Sequence, residues 1–135
     1  MIAAVCIDDR NGMLFHKRRV SRDRVQQEDL LQLCGERKLW IHSFSAKLFA
    51  EFGDRIIVDD DFLQKAEAGD ICFVENQPLE IWKERLEGVI LYRWNRMYPS
   101  DTKLDLDLTD FVKQEEKLFS GSSHETITRE IYVKN

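Results

Sequence analysis

Long apolar runs are missing from this chain: the longest, residues 1–7, is only seven residues. No basic residue precedes it and Asp8-Asp9 follows it, so it reads as a buried strand rather than a signal peptide or a membrane span. Cysteine is scarce as well. Cys6, Cys34 and Cys72 form an odd set without a C-x-x-C pair, which suits a reducing cytoplasm better than secretion. None stands at metal-ligand spacing from His16, His42 or His124, and no metal site is expected. Three scattered histidines also exclude the clustered His-x-His-x-Asp-His of a metallo-β-lactamase-type zinc nuclease. The chain lacks a P-loop, a G-x-S-x-G elbow, a Rossmann glycine fingerprint, internal repeats and low-complexity linkers. Positive charge is in the minority, with 20 Lys and Arg against 25 Asp and Glu and a net charge of −5. Indiscriminate nucleic-acid binding by the whole surface, DNA included, is therefore not expected, although a local basic patch remains open.

What is present describes one folded domain over residues 1–135, with 43% apolar and 10% aromatic residues, large enough for a core without disulfides. The most informative stretch is 69–94. Ile71-Cys72-Phe73-Val74, bounded by turn signals, reads as a strand covered on both faces. After Glu75-Asn76-Gln77, Pro78 suits a first helical turn, and Leu79, Trp82 and Leu86 share one side of a helix over 79–86. Gly88 is expected to close that helix before a second strand, 89–94. Strand, crossover and strand make a right-handed βαβ unit with parallel strands.

Elsewhere the elements alternate. Asn11-Gly12 marks a turn after the first strand. The run 16–24 holds Lys17, Arg18, Arg19, Arg22 and Arg24 against one acid, Asp23, and reads either as a solvated loop or as an anion-binding rim. Ser21 is expected to cap a helix running to Cys34, with Asp23 in its first turn and Gly35 ending it. Residues 38–41 and 55–58 read as short strands around a helix capped by Ser45. His42 is either a pocket residue or a half-buried structural one. Asp59-Asp60-Asp61 opens a short helix; consecutive carboxylates point in different directions, so the helix dipole explains them better than an ion does. Residues 111–119 and 126–133 form an antiparallel hairpin. Trp40, Trp82 and Trp94 are expected inside.

This order of elements resembles dihydrofolate reductase. Ile2-Ala3-Ala4-Val5 looks like that family's first strand, Gly12-Met13 like the Gly-Met of its mobile loop, and residues 89–94 followed by Asp101-Thr102-Lys103-Leu104 like its strand leading to Asp-Thr-x-Phe. Ser123-His124 and Ile131-Tyr132-Val133 are similar to its last hairpin. The resemblance implies an α/β, mixed and mainly parallel, twisted sheet of about seven strands, with helices on both faces and a C-terminal antiparallel hairpin. It also implies a substrate-side acid at Asp23, or at Asp29 in the other register, kept protonatable by an apolar pocket. Substrate contacts would fall at Ile2, Ala4, Arg19, Ser45, Val74 and Tyr92, and cofactor contacts at Ser45, Glu75 and Asn76.

The departures from the family bear on function. Its members cradle the NADPH diphosphate with a Gly-Gly pair after the central strand, because only glycine lets the backbone come close. Here Glu75 and Asn76 stand in that place, and a carboxylate repels a diphosphate. The basic residue expected before the Ser45 helix is Ser43 or Phe44, and the chain skips a strand and loop between Phe52 and Arg55. The Trp and Leu-Pro of the mobile loop are replaced by the basic run. Arg22 and Arg24 flank Asp23 and are expected to lower its pKa, and the bulk of Tyr92 narrows the pocket. The reading is a protein that has lost ordinary NADPH-dependent folate reduction, needs no cofactor, and binds a small anionic or heterocyclic ligand or a protein partner. Two alternatives stand beside it: a divergent NADPH-dependent pterin reductase, and an RNA or anion binder acting through 16–24. A homodimer through the sheet edge left by the missing strand is also expected.

Overall fold

The computed structural model describes residues 1–135. Its centre is strand β1 (Ile2–Ile7), whose alternate side chains enter two cores, one on each face of the sheet. Ala3, Val5 and Ile7 join one core, while Ala4 joins the other, with Ile2 and Cys6 packed at its margin. Before the central pairing, the chain forms β2 (Gly12–Phe15), β3 (Arg18–Arg19), helix α1 (Arg24–Cys34) and β4 (Leu39–Ile41). A 3-10 helix, Ser43–Arg55, follows and bends at Phe52, leading to β5 (Ile56–Val58), helix α2 (Phe62–Lys65) and β6 (Ile71–Phe73). Another 3-10 turn, Glu80–Arg85, precedes β7 (Gly88–Arg93), β8 (Thr102–Lys103), β9 (Phe111–Phe119) and β10 (Ile127–Lys134).

Seven strands make the main sheet in the order β5-β4-β6-β1-β7-β10-β9. The first five run parallel, and β10 is antiparallel to both of its neighbours, β7 and β9. Strands β6 and β7 both pair with β1, so the parallel pair expected over 69–94 is present with β1 lying between its members. Helix α1 and the first 3-10 helix cover one face through Leu30, Leu31, Leu48 and Phe49. Residues Phe62, Leu63, Leu79 and Leu86 cover the other. No helix is long and apolar enough to cross a membrane.

Several local expectations change. Residues 79–86 do not make an α-helix. Leu79 and Leu86 are buried, but the segment between them is the short 3-10 turn, pinned where Asp105 accepts from the Leu79 and Glu80 N–H groups at 2.9 and 3.3 Å. Asp23, not Ser21, caps α1, and the His42 ring, not Ser45, caps the first 3-10 helix by accepting from Phe44 N at 3.0 Å. Gly35 ends α1 with φ of 60° as expected.

Gly88 opens β7 rather than ending a helix, and a Cβ there would lie 2.6 Å from the Tyr132 carbonyl oxygen on β10. Gly88→Ala is therefore expected to lower stability by about 1–3 kcal/mol, because backbone must move to relieve the overlap. Urea denaturation checks this, and an unchanged midpoint would show that β10 yields freely. The sheet edges are β5, with Val58 exposed, and β9, whose outward positions include Lys113, Glu115, Glu116 and Lys117. Charged side chains of this kind discourage further strand pairing along β9.

Candidate functional site

Open α/β sheets place ligands at the carboxyl ends of their parallel strands. At that end the first part of the basic run folds into a hairpin, and Lys17, Arg18, Arg22 and Arg24 are exposed to solvent. Strands β2 and β3 are joined by His16 and Lys17, both left-handed with φ of 51° and 64°, the geometry of a two-residue turn matched to strand twist. Strand β8 pairs with the other side of β2 and holds the hairpin in place.

The hairpin carries Arg19 to the end of β6. Its Nε and Nη2 each donate to a Glu75 carboxylate oxygen at 2.8 Å, a bidentate fork. Ser45 Oγ donates to the same carboxylate at 2.6 Å, and the guanidinium lies 5.3 Å from the centre of the Phe44 ring. The bond to Glu75 raises the Arg19 pKa above its ordinary value. Behind this latch, Cys6, Met13, Ser21, Val74 and Trp94 enclose a cavity of about 10 Å³, room for about one water molecule. Burial raises the Cys6 thiol well above its ordinary pKa.

Asp23 has a different environment from the one expected of a proton donor. Its oxygens accept from the N–H groups of Val25 (2.9 Å), Gln26 (3.2 Å), Ser122 (3.1 Å) and Ser123 (2.7 Å), and from His124 Nδ1 (3.0 Å). Burial by itself would raise its pKa. The bonds from His124 first, and then from the Ser123, Ser122 and Gln26 amides, outweigh burial and bring it down to about 2. The lowering expected from Arg22 and Arg24 is thus supplied by hydrogen bonds instead.

An ionised carboxylate only accepts, so His124 Nδ1 donates to Asp23. Its Nε2 lies 3.0 Å from both Ser21 Oγ and Tyr98 OH. This serine-histidine-aspartate chain has the connectivity of an acyl-transfer triad. Yet the His124 side chain is 1% exposed, stacked 4.5 Å from Trp94, with a second hydroxyl on Nε2. It ties the β9–β10 loop to the start of α1. No local pattern announces it, because the partners are 101 residues apart.

The remaining expected site residues separate. Asp29 is held away from the latch by Arg129 Nη1, at 2.8 and 2.9 Å, and by the Tyr92 hydroxyl at 2.6 Å. Burial and the neighbouring Asp29 carboxylate raise the Tyr92 pKa. Ala4 is fully buried in the core, and Ile2 lies level with Ile71 and Gly88, at the opposite end of β1 from Cys6. Arg19, Ser45, Val74 and Glu75 do come together. Asn76 is half-buried, with its Oδ1 lacking a hydrogen-bond partner, beside a hollow of about 200 Å³. His42 is half-buried and structural. The three aspartates diverge: Asp59 accepts from Lys65 and from Asp61 N, while Asp60 accepts from Ser43 N.

On the outer side of the hairpin, Lys17, Arg18, Arg19, Arg22 and Phe44 line an open groove of about 630 Å³. Lys17, Arg18 and Arg22 make no ion pair. Arg22 also borders a second hollow of about 420 Å³ at the start of α1, together with Lys47.

A seven-stranded sheet in this order, covered on both faces and closed by an antiparallel pair, defines an α/β domain with its candidate site at the parallel strand ends. Its fold is that of dihydrofolate reductase. Among solved structures it matches dihydrofolate reductase from Enterococcus faecalis complexed with NADP(H) and RAB-propyl, with a TM-score of 0.68 and 10% identity, covering 100% of this chain and 96% of that one. No family model and no curated protein sequence matches the chain.

Proposed function

We propose that this protein is a ligand-binding member of the dihydrofolate reductase fold that no longer carries out NADPH-dependent folate reduction. The observation that carries the reading is the Arg19–Glu75–Ser45 latch across the end of β6. In the family it resembles, glycines leave that space for the cofactor diphosphate. Here a carboxylate side chain fills it, and an anion brought beside Glu75 meets like charge at short range. The residues present therefore fit the cofactor poorly.

The substrate side supports the same reading. A carboxyl with a pKa of about 2 is ionised at neutral pH and has no proton to give a pterin ring. Asp29 is committed to Arg129 and Tyr92. The surface offered to solvent is instead the basic groove beside the hairpin, whose unpaired cations suit a small anionic or heterocyclic ligand.

Titration with NADPH, followed by tryptophan fluorescence, is expected to give no saturable response in the micromolar range. Trp94 borders the cavity behind the latch, so a dinucleotide that displaced the latch would change its surroundings. Absorbance is likewise expected to show no pterin-dependent oxidation of NADPH. Micromolar binding together with turnover that collapses in Asp23→Asn would establish the divergent-reductase alternative in its place.

A further inference from the structure

Of the cations around the outer groove, only Arg19 has an ionic partner, and that partner comes from its own chain. The Arg19 fork is a donor pair suited to a small oxyanion, and Glu75 presents one to it. Lys17, Arg18 and Arg22 crowd the same groove without compensating charge, so their mutual repulsion is relieved by an incoming anion. Several unpaired cations favour a dianion over a monoanion. Phe44 adds an apolar wall, and the Arg19 guanidinium now lies over its ring at 5.3 Å.

We propose that this groove binds the phosphomonoester group of a small aromatic compound, and that Glu75 is its built-in competitor, holding Arg19 until the phosphate displaces it. The inference rests on the reading that this end of the sheet is not a reductase's cofactor cleft. Binding then releases the hairpin from β6 and connects the outer groove to the cavity lined by Cys6, Ser21 and Trp94. A long polyanion would meet the same cations but also the field of a chain with net charge −5, which favours the small ligand.

The test is calorimetric titration of the intact protein with phenyl phosphate, inorganic phosphate and benzoate. Because the wild-type site must first break its internal ion pair, Glu75→Gln is expected to tighten phenyl phosphate about ten-fold. Glu67→Gln removes the same charge at an exposed position before β6 and is expected to change nothing. Arg18→Gln combined with Arg22→Gln is expected to weaken binding about ten-fold. Affinity should fall from phenyl phosphate to phosphate to benzoate.

Equal affinity of wild type and Glu75→Gln, an equal gain in Glu67→Gln, or benzoate matching phenyl phosphate overturns the proposal. So does binding of a single-stranded RNA oligonucleotide with no response to phenyl phosphate. These outcomes differ from failure of the underlying reading. NADPH binding with pterin turnover refutes that reading whatever phenyl phosphate does, whereas an inert Glu75→Gln without NADPH binding overturns the present proposal and leaves that reading standing.

Discussion

Asp23→Ala is expected to lower stability at neutral pH by about 4 kcal/mol, because it removes the α1 cap and leaves buried donors unpaired. The backbone N–H groups of Ser122 and Ser123 and the Nδ1 proton of His124 all point at a carboxylate that is 1% exposed. The pH dependence follows from the depressed pKa. The group titrates at 3.8 in the unfolded chain and at about 2 in the fold, a difference that contributes about 2 kcal/mol. A lowered pKa stabilises the fold above the unfolded value, and the contribution disappears as pH falls from about 4 to about 2. Urea denaturation should therefore show a wild-type advantage over Asp23→Ala that is constant near neutrality and narrows in acid. An advantage that stays level down to about pH 2 would show that ionised Asp23 is not what holds the β9–β10 loop to α1.

Arg129→Met is the second large effect, a loss of about 3–5 kcal/mol. Arg129 is 6% exposed and links Asp29 on α1 to Glu115 on β9, across β10. Burial lowers its pKa, and the bonds to Asp29 and then Glu115 more than reverse that effect. Without the guanidinium, Asp29 keeps only the Tyr92 hydroxyl in a site where its side chain is 13% exposed. The double variant Arg129→Met, Asp29→Leu should recover much of the loss, since an apolar pair needs no internal compensation. Denaturation of the two single variants and the double variant closes the cycle. A double variant as unstable as the sum of the singles would mean that the two residues do not act as a pair.

Much of the fold was legible because it is written in local pattern. The apolar runs at residues 2–7, 71–74 and 89–94, and the hairpin strands 111–119 and 126–133, appear within a residue or two of their expected limits. Each carries strand-forming side chains bounded by turn residues, and that signal needs no distant partner. Residues 79–86 misled for the same reason. Helical spacing of Leu79, Trp82 and Leu86 records which side is buried, while Asp105, 26 residues from Leu79, sets the turn that buries it. The site was harder still. Glu75 stood out as a carboxylate where the resembled family carries glycine, but not as the partner of Arg19.

Composition and periodicity alone determined that this chain is one α/β domain with a strand buried on both faces at its centre and a basic segment near its start. Only the tertiary structure decided that this segment turns inward to grip Glu75, 56 residues away, and that Asp23 answers to His124, 101 residues away. The reason is physical: strand and helix patterns are set by neighbours a few residues apart, whereas ionic and hydrogen-bond partners are chosen by the folded sheet, which brings together charges that no local pattern connects.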